Sequence, residues 1–172
     1  VSGFGDLIVL RHAEDAAVYL AEKYSSVPII NGGNGCDEHP TQTLLDLYTI
    51  YKEKKQIDGL TIALVGDLKH ARTMHSLMKG LSHYRITLFL ISPHELRAPK
   101  PLCALLRERN VRFVEHRRLE EVIWDVDVIY TVMLQHHRIK EPETLERLRH
   151  EYYRITPELL RSGKQGVTIL HP

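Results

Sequence analysis

The chain has 172 residues, room for one large domain or two small ones, and 43% of them are hydrophobic, ample for a packed core. A formal net charge of +1 argues against a general nucleic-acid-binding surface, and no apolar run approaches the roughly 20 residues of a membrane span. Two cysteines, Cys36 and Cys103, are too few for a disulfide scaffold and fit a reduced, cytoplasmic setting.

The start, Val-Ser-Gly-Phe-Gly-Asp, has neither the basic nor the apolar region of a signal peptide. It lacks an initiator Met and the end stops where a strand should open into a loop, so the chain reads as a fragment of a longer polypeptide. The apolar run 7–10 predicts a buried strand that delivers Arg11 and His12 at its carboxyl end. Residues 13–24 have helical character. A second strand at 27–30 ends in Asn31-Gly-Gly-Asn-Gly35. A helix follows over 41–55, and Pro40 suits its first turn, where a missing N–H is no loss. His39 and Gln42 then sit at the mouth of that helix, which favours anions. As a bland alternative, both side chains are caps.

Beyond the turn at Asp58-Gly59 the alternation is regular. Strands are predicted at 61–65, 86–91, 112–115, 126–132 and 167–170, and helices at 71–81, 101–109, 119–124, 143–151 and 157–161. This pattern implies the α/β class, a parallel sheet flanked by helices. The first two strands stand apart from the later repeat, which suggests two lobes joined by the helix at 41–55. Ligands of such sheets bind beyond the carboxyl ends of the strands. The candidates there are Arg11, His12, the 31–42 segment, 67–72 and 135–138. In the loop after the 61–65 strand, Lys69 or Arg72 is placed to meet an anion, and Asp67 to cap the next helix.

Several chemistries find no support. The glycines do not match a dinucleotide fingerprint, and there is no Gly-Lys-Ser/Thr phosphate loop. His70 and His75 do not share a helix face, and His136 and His137 point apart, so no metal site is expected. No Ser/His/Asp or Cys/His pattern stands out.

Five segments together resemble the aspartate carbamoyltransferase family, in family order and over the whole chain. They are Val9-Leu-Arg-His12, Asn34-Gly-Cys-Asp-Glu-His-Pro-Thr-Gln-Thr-Leu-Leu-Asp-Leu-Tyr-Thr49 and Val65-Gly-Asp-Leu-Lys-His-Ala-Arg-Thr-Met-His-Ser-Leu77. Asp127-Val-Ile-Tyr130 with Gln135 and Arg138, and Ile169-Leu-His-Pro172, complete the set. The resemblance implies part of a carbamoyl-phosphate lobe at 1–40, a connecting helix at 41–55 and a Rossmann-like aspartate lobe at 56–172. It implies carbamoyl transfer from carbamoyl phosphate to L-aspartate in pyrimidine synthesis, with no metal or organic cofactor. By the same likeness Arg11 pairs with the phosphate and His39 polarises the carbonyl. Gln42 orients the carbamoyl amide, Arg72 holds an aspartate carboxylate and Gln135 contacts the same substrate. A homotrimer with shared sites is implied, with regulatory chains or fused pyrimidine enzymes as further partners.

Three departures accompany the likeness. The family's Ser-Thr-Arg-Thr phosphate loop and a loop lent by a neighbouring subunit are not in this sequence, so the chain alone is not expected to be an efficient enzyme. Met133 stands where the family carries an arginine for the aspartate side chain. Ala71 replaces a glycine. Two alternatives therefore stay open: a non-catalytic homologue with a structural or regulatory role, and a transcarbamylase for another amine acceptor.

Overall fold

The apolar runs of this chain pair side by side as two parallel sheets in a computed structural model that describes residues 2–172. Val1, the first residue of the expected 1–40 lobe, lies outside the described residues. The first sheet pairs β1 (Ile8–His12) with β2 (Ile29–Asn34), with α1 (Ala17–Tyr24) between them in sequence. Helix α2 (Pro40–Lys54) leads to the second sheet. That sheet contains β3 (Thr61–Val65), β4 (Thr87–Ile91), β5 (Arg112–His116), β6 (Val128–Thr131) and β7 (Thr168–Leu170). Its order is β5-β4-β3-β6-β7, parallel throughout. Four further helices are α3 (Arg72–Leu81), α4 (Lys100–Glu108), α5 (Pro142–Glu151) and α6 (Pro157–Arg161).

Side chains alternate across a strand, and here both faces of the large sheet are covered. Ile62 and Leu64 of β3 pack in one layer with Met74, Leu77 and Met78 of α3. Ala63 and Val65 pack in the opposite layer with Leu119, Ile123 and Val126. All of these β3 side chains are shielded from water. Ile50 of α2 joins the first layer, which ties the connecting helix to the large sheet.

The chain moves from β3 outward to β5, then returns to the other side of β3 for β6 and β7. Strand order therefore reverses between β3 and β6, and a crevice opens beyond their carboxyl ends. The loops 66–71 and 132–138 emerge there.

Most expected elements are present, with boundaries within one residue. The exceptions have local causes. The helix expected from residue 13 starts at Ala17, because side chains capture the backbone on either side of the turn. Glu14 N donates to His12 Nδ1 at 3.0 Å, and Cys36 N donates to Asp15 Oδ1 at 2.7 Å. Strands β1 and β2 run further than expected, and Gly32 and Gly33 lie within β2, at an irregularity between the Leu10–Asn31 and His12–Asn34 pairs. The expected 119–124 helix is two 3-10 turns, Leu119–Glu121 and Ile123–Asp125. A 3-10 turn stacks residues three apart, and the pairs Leu119/Val122 and Ile123/Val126 all enter one apolar layer. Strand β6 is shorter than the expected 126–132 because Val126 closes the second of these turns.

Candidate active site

A cleft of about 520 Å³ occupies the crevice at the strand-order reversal, and Arg11, His39, Gln42, Arg72 and Gln135 all line it. Four segments bring them together. Arg11 comes from β1, and His39 immediately precedes α2. Gln42 lies in the first turn of α2, Arg72 opens α3, and Gln135 follows β6.

Two glycines make these approaches possible. Gly33 has φ +115, and a Cβ there would lie 3.0 Å from Arg72 Nη2 and 3.3 Å from His39 Cδ2. Only glycine takes that conformation freely and lets the strand pass so close to two side chains of the cleft. Gly66 has φ +122, and a Cβ there would strike the Tyr152 hydroxyl. That hydroxyl accepts from Asp67 N at 2.8 Å and donates to Val132 O at 2.9 Å, joining the loops after β3 and β6.

Asp67 strengthens the same joint from a fully buried position. Its carboxylate accepts from His70 N at 2.9 Å and Gln135 N at 3.3 Å, and contacts His70 Nδ1 at 3.1 Å. It does not cap α3, as the sequence suggested; the cap position is Ala71, without a side-chain bond. Asp67 instead holds the backbone of Gln135 toward the cleft. Lys69 is exposed and does not line the cleft, which leaves Arg72 as the cation of this loop.

Neither His39 nor Gln42 caps α2. His39 N donates to Ser76 Oγ at 2.8 Å, and Ser76 donates to Glu38, which also pairs with Lys79. The imidazole lines the cleft, with Thr41 Oγ1 3.4 Å from its Nδ1. Its Nε2 lies 3.2 Å from Arg11 Nη1. A guanidinium only donates, so Nε2 accepts and the ring proton is assigned to Nδ1. Burial first, then the charges of Arg72 and Arg11, hold His39 below the usual histidine range. Arg72 donates to Gly35 O at 2.8 Å. Burial, then Arg11 and Arg138, lower its pKa as well.

Arg138 lines the same cleft, and its Nε is buried without a hydrogen-bond partner. Among the described residues no carboxylate lines the cleft. Three guanidiniums around a neutral imidazole make a site for anions with more than one charged group. Met133 forms an apolar stretch of its wall, 68% exposed.

Sequence reasoning missed two residues beneath the cleft. Asp46 is buried on α2, accepting from Gln42 Nε2 at 2.9 Å and from Tyr130 OH at 2.7 Å. An acid set among Leu44, Leu45 and Leu47 was the available signal. Among the described residues no cluster of His, Cys, Asp or Glu could hold a metal ion, and no helix is long and apolar enough to cross a membrane.

Comparison with known proteins matches both parts of the chain. Residues 1–52 match the aspartate/ornithine carbamoyltransferase carbamoyl-P binding domain, and residues 58–172 the Asp/Orn binding domain of the same family. The aspartate carbamoyltransferase catalytic subunit of Methanocaldococcus jannaschii is 45% identical, over 100% of this chain and 56% of that protein. That of Methanosarcina barkeri is also 45% identical, over 100% of this chain and 55% of that protein. This chain thus spans a little over half the length of the curated relatives it matches. Among solved structures, the M. jannaschii catalytic subunit superposes with TM-score 0.86 at 44% identity, covering 99% of this chain and 55% of that one. Aspartate transcarbamoylase from Trypanosoma cruzi in complex with N-(phosphonacetyl)-L-aspartic acid superposes with TM-score 0.88 at 36% identity, covering 99% and 55%.

Proposed function

This chain belongs to the aspartate/ornithine carbamoyltransferase family, and on that premise we propose that it serves carbamoyl transfer from carbamoyl phosphate to the amino group of L-aspartate. One observation carries the reading: Arg11, His39, Gln42, Arg72 and Gln135 converge in one cleft that, among the described residues, no carboxylate lines. The product is N-carbamoyl-L-aspartate, which enters pyrimidine synthesis. Residues 1–40 contribute to the carbamoyl-phosphate lobe, 41–55 connect, and 56–172 form the aspartate lobe. The active form is a homotrimer with shared sites in the cytoplasm, with regulatory chains or fused pyrimidine enzymes as further partners.

The chemistry follows from the charges. Arg11 takes the phosphate by a charge-assisted fork, which releases His39 Nε2. The freed nitrogen then carries the ring proton toward the carbonyl oxygen, where negative charge grows as the amine attacks. Gln42 meets the carbamoyl amide. Arg72 holds a carboxylate of aspartate, and Gln135 contacts the same substrate. A C–N bond forms, the C–O bond to phosphate breaks, and the amine proton leaves with the phosphate. Holding two anions in reacting contact is chiefly a positioning task.

Met133 favours a second reading. An exposed thioether on the cleft wall cannot pair with a second carboxylate, so an amine acceptor lacking one fits the same cleft, as does a non-catalytic role. Titration of the full polypeptide with carbamoyl phosphate, then with succinate, separates the cases. Binding of both supports the aspartate reaction. Binding of the first without the second supports another acceptor or a non-catalytic homologue.

A further inference from the structure

Building on the role given to Gln42 above, we propose that Asp46 is a positioning residue. With Tyr130 it fixes the Gln42 amide so that Oε1 faces the cleft and selects a donor substrate bearing an NH2 group.

Asp46 lies one helical turn after Gln42 on α2 and is 2% exposed. One carboxylate oxygen accepts from Gln42 Nε2 at 2.9 Å, the other from Tyr130 OH at 2.7 Å. A carboxylate only accepts, so Gln42 must turn its NH2 toward Asp46. The amide is planar, and its Oε1 then points away from Asp46, on the side where Gln42 lines the cleft. Without such a neighbour the two ends of an amide are nearly equivalent in shape. A charged acceptor on one side removes that choice.

Tyr130 holds the other end. It sits on β6, wholly shielded, 84 positions along the chain from Asp46. The pair thus references the amide to the large sheet as well as to α2. Burial raises the pKa of Asp46, opposed by the bonds from Tyr130 and Gln42. An apolar side chain at this place would avoid the cost of burying a carboxylate. What the carboxylate adds is the direction of the amide. An outward Oε1 accepts from the NH2 of a carbamoyl group, whereas a methyl group in the same place leaves it unpaired.

The test compares carbamoyl phosphate with acetyl phosphate, its methyl analogue, and with inorganic phosphate. Binding of each is titrated in the full polypeptide. Asp46→Leu should lower the preference for carbamoyl over acetyl phosphate about tenfold, near the worth of one hydrogen bond. Inorganic phosphate should bind as before. Tyr130→Phe should move the preference the same way by less, and it serves where Asp46→Leu fails to fold. Placed on a Gln42→Ala background, either variant should leave the preference unchanged. A structural role alone would weaken all three ligands alike, and that result overturns the proposal. So does an unaltered preference in both variants, or an equal fall without Gln42. A wild-type protein that does not prefer carbamoyl phosphate overturns the role of Gln42 and the proposal with it.

Discussion

Gly33→Ala tests whether the glycine-bearing end of β2 shapes the cleft. The new methyl meets two separable costs. Gly33 has φ +115, a conformation that costs an L residue roughly 1–2 kcal/mol. For a chain of this size that lowers Tm by about 2–8 °C. The methyl also lies 3.0 Å from Arg72 Nη2 and 3.3 Å from His39 Cδ2. The guanidinium is the flexible end, so it moves and its bond to Gly35 O at 2.8 Å is lost. A displaced Arg72 forfeits a charge-assisted contact worth about 1.5–3 kcal/mol, or roughly 10- to 100-fold in affinity. Gly59→Ala is the control, since Gly59 has φ +82 but open space around the added methyl. Urea denaturation measures stability, and calorimetric titration with N-(phosphonacetyl)-L-aspartate in the full polypeptide measures the site. Both variants should lose stability, and only Gly33→Ala should lose affinity. Equal affinity losses, or none at Gly33, would refute the close packing of β2 against Arg72 and His39.

Three further predictions follow from named contacts. His39 should titrate below its ordinary value of 6.5, because burial, Arg72 and Arg11 disfavour the imidazolium. As pH falls below about 6.5 the unfolded chain takes up this proton first, so the stability that rests on neutral His39 is lost on the acid side. Phosphate in the cleft should raise the pKa, and phosphate should bind more tightly as pH drops through the window. Proton NMR of the ring reads both, and a ring titrating at or above 6.5 without anion contradicts the cause given. Met133→Arg should tighten succinate binding about tenfold or more with carbamoyl phosphate unaffected, since it adds a charged donor to an apolar wall; no gain would remove Met133 as the reason for a weak second carboxylate site. Tyr152→Phe should cost about 2 kcal/mol or more in urea denaturation, because Asp67 N and Val132 O both lose their partner. An unchanged midpoint would mean the two loops are held by Asp67 alone.

The large sheet was legible because it is buried on both faces. Runs such as Thr61-Ile-Ala-Leu-Val65 stay apolar throughout, and their spacing with helices admits few folds. The five residues expected to bind substrate do share one cleft, because strand ends and helix starts are where such a sheet exposes polar side chains. Less legible were contacts that join distant positions. Asp67 read as a local cap, yet its carboxylate reaches Gln135, 68 positions later. Residues 31–34 read as a loop, because glycine lowers strand propensity; pairing of Asn31 and Asn34 with β1 on either side of Gly32 and Gly33 overrides that preference. Asp46 was visible only as an acid among leucines, and its partner Tyr130 sits inside an ordinary apolar strand. The protonation of His39 was hidden for the same reason. Local sequence offers an imidazole at a helix mouth, and its charge depends on burial and on Arg11 and Arg72, which fold in from β1 and α3. An aromatic hydroxyl or an arginine contributed from another element leaves no periodic trace, so motif spacing can locate side chains that line the cleft but not the distant contacts that bear on their orientation and charge.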